Sequence, residues 1–83
     1  MAELILDEIR RCLQTALKLD AAAAGRVGID STAADVPGWT SVGHLSLILE
    51  LENAFNVRFD NREIAGLASV RAISECLGGK GVS

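Results

Sequence analysis

The chain has 83 residues, a net charge of −3 and 49% apolar side chains, which fits one small globular domain and argues against disorder. A domain this small has little room for a deep pocket with preorganised catalytic groups, which favours a carrier or binding module over an enzyme. Between residues 30 and 63 the acids Asp30, Asp35, Glu50, Glu52, Asp60 and Glu63 are offset only by Arg58 and Arg62. That balance counts against a nucleic-acid partner, which needs a basic footprint.

Residues 3–18 read as an amphipathic helix, with Ile5, Ile9, Leu13, Ala16 and Leu17 at helical spacing. Residues 19–40 break the pattern with Gly25, Gly28, Asp30, Ser31, Asp35, Pro37 and Gly38. A structureless stretch of that length is unusual inside a small domain, and such loops are often functional. Ile29 and Val36 are expected to pin it to the core, while Ala21 to Ala24 either extends the first helix or makes a turn of its own.

Residues 41–55 read as a second helix whose apolar residues, Val42, Leu45, Leu47, Ile48, Leu49, Leu51 and Phe55, cover more than one face. So wide an arc predicts a central helix that touches several neighbours. Asp60 and Glu63 have capping-box spacing for a short helix over 61–66. Ser69 is placed to cap a last helix over 69–77, ended by Gly78-Gly79, with residues 80–83 as a frayed tail. The expectation is an all-α bundle over residues 1–83, with three main helices, one short helix and a long first loop. Cys12 and Cys76 fall on apolar helical stripes without metal-ligand spacing, so they read as buried reduced thiols. No apolar segment has signal-peptide or membrane-spanning character, so a cytoplasmic protein with no membrane partner is expected.

The stretch Pro37-Gly38-Trp39-Thr40-Ser41-Val42-Gly43-His44-Leu45 carries the chemistry. A turn delivers the chain into a helix, and a serine stands at its start. On the residues alone, Ser41 is adequately explained as a helix cap. The same position also suits a phosphodiester on the hydroxyl, because the first turn of a helix offers free N–H groups and a positive dipole end. Trp39 reads as a packing anchor that fixes the loop. His44 lies three residues from Ser41 but lacks the orienting acid and oxyanion site of a nucleophile pair, so an exposed partner-contacting histidine is expected. A lone histidine makes no metal site, and none is expected. Asp30-Ser31 is adequately explained by turn chemistry.

The segment Gly38-Trp39-Thr40-Ser41-Val42, the apolar run Leu45 to Leu51, Glu52-Asn53-Ala54-Phe55 and Val57-Arg58-Phe59 together resemble the acyl carrier protein family of phosphopantetheine-binding, or thiolation, domains. Ile64-Ala65-Gly66-Leu67-Ala68-Ser69-Val70 resembles the family's third helix and the entry to its fourth. The resemblance implies that Ser41 accepts 4′-phosphopantetheine from coenzyme A. The arm would carry an acyl or aminoacyl thioester in a specialised pathway, and the protein itself would not catalyse. The partners so implied are a phosphopantetheinyl transferase, a loading ligase or acyltransferase, and a downstream synthase or transferase. Trp39, Thr40, Val42, His44, Leu45, Glu50, Glu52 and Ile64 are the expected partner contacts.

Thr40 departs from the family's usual Asp before the serine, and Val42 from its Leu. Gly43 and Ser46 replace frequent acids, so partner contacts should lean on Val42 and Leu45 more than on charge. The alternative that Thr40 supports is a degenerate carrier fold acting as an unmodified interaction module. A monomer is expected, on the ground that the apolar arc of the second helix is used up inside the bundle.

Overall fold

A computed structural model describes residues 2–81. Among the described residues the protein is an all-α bundle of five helices with no strand. The first helix, α1 (Ala2–Leu17), buries Ile5, Ile9, Cys12 and Leu13 along one stripe. It ends where Lys18 takes a left-handed conformation (φ 55°), the turn that Gly or Asn more often makes after a helix. The Leu19 amide then donates back to Gln14 O at 3.0 Å, and the Leu19 side chain is buried.

That break settles the alanine run. Ala21–Gly25 is a separate short helix, α2, capped by Asp20 Oδ1, which accepts the Ala23 amide at 2.7 Å. The following loop is tied down rather than loose. Val27, Val36 and Trp39 are buried, and Ile29 packs half-buried against the same core. Arg10 Nε donates to Val27 O at 2.6 Å. Ala33 donates to Ala68 O at 2.8 Å, and Val70 donates to Ser31 O at 2.9 Å, so the loop is joined to the start of the last helix. Asp30 pairs with Arg71 at 2.6 Å, and Ser31 Oγ accepts the Gly28 amide, which accounts for that dipeptide.

The helix α3 (Ser41–Phe55) buries Leu47, Ile48 and Leu51. It closes on Asn56, left-handed at φ 54°, whose amide donates to Glu52 O. The structure corrects its expected role as the hub. The close helix–helix approaches centre on α1, which packs on α3, α2 and the last helix. The outer face of α3 stays uncovered: Val42 is 76% exposed, Leu45 60% and Leu49 62%. The apolar arc is therefore not used up inside the bundle.

The helix α4 (Asn61–Gly66) has the expected capping box, with Asp60 Oδ1 accepting the Glu63 amide at 2.8 Å and Glu63 Oε1 accepting the Asp60 amide at 3.0 Å. The last helix, α5 (Val70–Gly79), is capped by Ser69, whose Oγ accepts the Ala72 amide at 3.1 Å. It runs through Gly78 and Gly79 instead of stopping before them. The left-handed turn falls later, at Gly81 (φ 87°), whose amide donates to Gly78 O at 3.1 Å. Lys80 is not frayed: its Nζ lies 2.8 Å from Glu63 Oε2 and 5.3 Å from the centroid of the Phe59 ring. Residues 82 and 83 of the expected tail lie outside the described residues. No helix among the described residues is long and apolar enough to cross a membrane.

Candidate functional site: the serine at the start of α3

Two hydroxyl residues meet at the start of α3, and the structure divides their roles. Thr40 is the cap: its backbone is extended (φ −101°, ψ −177°) and its Oγ1 accepts the Gly43 amide at 3.3 Å. Ser41 is the first helical residue, and its side chain is exposed. Among the described residues its hydroxyl has no hydrogen-bond partner. The capping explanation of Ser41 is thereby overturned. Thr40 keeps the capping function of an Asp at that position without its charge.

Ser41 borders an open depression of ≈ 250 Å³. The loop contributes Ala33 and Trp39 to its wall, α3 contributes His44, and Ala65 and Ala68 close the far side. The alanines leave room beside the hydroxyl without adding charge. The Trp39 side chain is 7% exposed, so the ring anchors the loop as expected and offers a partner little surface.

His44 is not the exposed partner contact expected from the sequence. It is half-buried, and both ring nitrogens are engaged. Trp39 Nε1 donates to His44 Nδ1 at 2.9 Å, and His44 Nε2 lies 2.8 Å from Ile64 O. The two rings are nearly parallel, 20° apart, with centroids 6.2 Å from each other. An indole N–H only donates and a carbonyl only accepts, so both contacts are satisfied together by a ring protonated on Nε2 alone. It has no nitrogen left for the Ser41 proton.

Exposed apolar surface starts one residue past Ser41. Val42, Leu45 and Leu49 lie three and four residues apart and share one face of α3. At its far end this stripe reaches a larger depression of ≈ 380 Å³, bordered by Leu49, Glu52, Asn56 and Arg58. Val42 and Leu45 are exposed, as their expected role in partner contacts requires. The exposure of Leu49 was not legible, because five apolar residues between positions 45 and 51 leave the outward face undecided.

The two acids fare differently. Glu52 is half-buried and its Oε2 accepts the Phe59 amide at 2.9 Å, so it holds the chain beyond α3 as well as bordering the surface. Glu50 opens onto a groove beside α1 with Glu8, Arg11 and Cys12. It lies nine residues, about 14 Å along the axis, from Ser41. The Ile64 side chain packs half-buried against the core, and what it brings to the site is its carbonyl.

Neither cysteine is activated. Burial, with Glu8 and Glu50 adding to it, pushes the Cys12 thiol up to about 12. Cys76 is half-buried rather than buried; partial burial and its hydrogen bond to Glu63 also raise its pKa. Among the described residues no group of His, Cys, Asp and Glu is arranged to hold a metal ion.

No known protein-family model matches the chain, and no curated protein matches it.

Proposed function

We propose that this protein is an acyl carrier, modified on Ser41 with 4′-phosphopantetheine, that holds an acyl or aminoacyl group and hands it to partner enzymes. The observation that carries this reading is the unengaged Ser41 hydroxyl: exposed at the first position of α3, with capping assigned to Thr40. A serine that neither caps nor packs is available for modification without loss to the fold. The amides of Ser41 and Val42 precede the first intrahelical hydrogen bond of α3 and favour a phosphodiester at that hydroxyl. The alanine-lined depression leaves space for an arm beside it. In the transfer from coenzyme A, the Ser41 oxygen forms the new bond to phosphorus. Adenosine 3′,5′-bisphosphate leaves, and the hydroxyl proton passes to the transferase. The attached arm supplies a terminal thiol, which carries cargo as a thioester.

The protein contributes presentation rather than catalysis in this reading, working in the cytoplasm. The exposed stripe Val42–Leu45–Leu49 is the surface that the transferase, the loading ligase or acyltransferase, and the downstream synthase would grip. The cargo belongs to a specialised pathway in this reading, since Ser46 stands where housekeeping carriers often have an acid.

The test is intact-protein mass after incubation with coenzyme A and a broad-specificity phosphopantetheinyl transferase, beside Ser41→Ala. A gain of one phosphopantetheinyl group, absent from the variant, is the expected result. No gain in a folded protein, with a control carrier modified in parallel, would leave the chain as an unmodified interaction module.

A further inference from the structure

Three separate parts of the chain border the depression beside Ser41: the long loop, α3, and α4 with the residues after it. One side chain joins all three. His44 stands on α3, accepts from the indole of Trp39 on the loop, and donates to the carbonyl of Ile64 in the last turn of α4. That carbonyl also accepts the Leu67 amide at 3.2 Å, at the point where α4 ends and the chain turns toward Ala68. Both bonds are partly buried, where a lost partner costs more than it does in water. Ala65 follows Ile64 directly and forms part of the far wall.

We infer that His44 is the positioning residue of the Ser41 site, a neutral imidazole that fixes the loop and α4 on either side of the serine. The inference rests on Ser41 being the attachment point. It separates two tasks along α3. The Val42–Leu45–Leu49 stripe binds the transferase and sets KM, while His44 holds the walls around the hydroxyl and sets kcat. Small displacements of a reacting group are costly in rate, so holding these walls in place matters to the transfer step.

The experiment is phosphopantetheinyl transfer kinetics on the full chain, with coenzyme A and a broad-specificity transferase, for wild type, His44→Leu and His44→Gln. Leucine fills the site and makes neither bond. Glutamine can accept from Trp39 and donate to Ile64. The expected result is a fall of about tenfold in kcat at unchanged KM for His44→Leu, with most of the loss recovered in His44→Gln. The carrier is itself the substrate here, so a mere loss of folded protein raises apparent KM and leaves kcat alone. A KM effect of that kind, a wild-type kcat in His44→Leu, or a glutamine variant no better than leucine would overturn the inference and leave the Ser41 reading standing. An unmodified wild type would remove the Ser41 reading and this inference together. If His44→Leu does not fold, nitrogen NMR of the wild-type ring near neutral pH decides. A neutral Nε2-protonated ring supports the bridge; an imidazolium or Nδ1-protonated ring overturns it.

Discussion

Thr40 and Ser41 are both good capping residues, and one position separates them, so the sequence alone could not assign the cap. The assignment turns on backbone dihedrals: Thr40 is extended and Ser41 helical. The same ambiguity hid the histidine bridge. His44 sits three residues from Ser41 in sequence, but its partners are five residues back and twenty forward. No spacing rule connects those positions. A prediction follows at this scale. Thr40→Ala removes the Oγ1 that accepts the Gly43 amide and should destabilise the protein by about 1 kcal/mol. Thr40→Asp should be at least as stable as wild type, because the carboxylate both caps and meets the positive end of α3. Denaturant midpoints of the three proteins measure this, and an alanine variant as stable as wild type would return the capping role to Ser41.

Among the elements, α1 and α5 were legible because each has one clear apolar stripe, and α4 because Asp60 and Glu63 announce its start. The placement of α3 was not. Its apolar residues outnumber the positions that one packed face needs, and only neighbours decide which stay outside. The constraint on Gly43 was equally hidden. Its sequence position reads as a missing acid, yet the backbone leaves no room for any side chain there. A Cβ built on Gly43 would collide with the carbonyl oxygen of Gly38 and lie 2.6 Å from Leu17 Cδ2. Gly38 is itself held at φ 80° as the loop turns into the helix, so its carbonyl has little freedom to retreat. Alanine is normally better than glycine inside a helix by about 1 kcal/mol. At position 43 the sign should reverse, with Gly43→Ala costing about 1–3 kcal/mol from overpacking. Thermal denaturation would register this as a drop of several degrees, and a variant with raised Tm would show that the loop can move aside.

For the whole molecule, the loop is joined to the α4–α5 junction by backbone hydrogen bonds, while α4 and the end of α5 are joined by side chains. Glu63 is the centre of the second connection. It completes the capping box with Asp60, accepts from Cys76 Sγ at 3.4 Å, and receives the Lys80 ammonium between its two oxygens at 2.8 and 2.9 Å. Chiefly the hydrogen bond from Lys80, and next that from the Asp60 amide, hold its carboxyl at about 2, below the ordinary 4.5. A carboxyl depressed in the folded state stabilises the fold in full above its unfolded value and loses that contribution as pH falls through the folded one. The window therefore runs from about pH 4.5 down to about pH 2. The pair is partly exposed and screened, so the effect should be modest. Glu63→Gln isolates it, because glutamine also serves at that position of a capping box and only the charge is lost. Denaturant midpoints of wild type and variant should differ at about pH 6 and converge near pH 2. A gap that persists at low pH would mean that the carboxylate charge is not what joins α4 to α5. Variant and wild type equal at both pH values would mean that the Lys80 contact adds nothing to the fold.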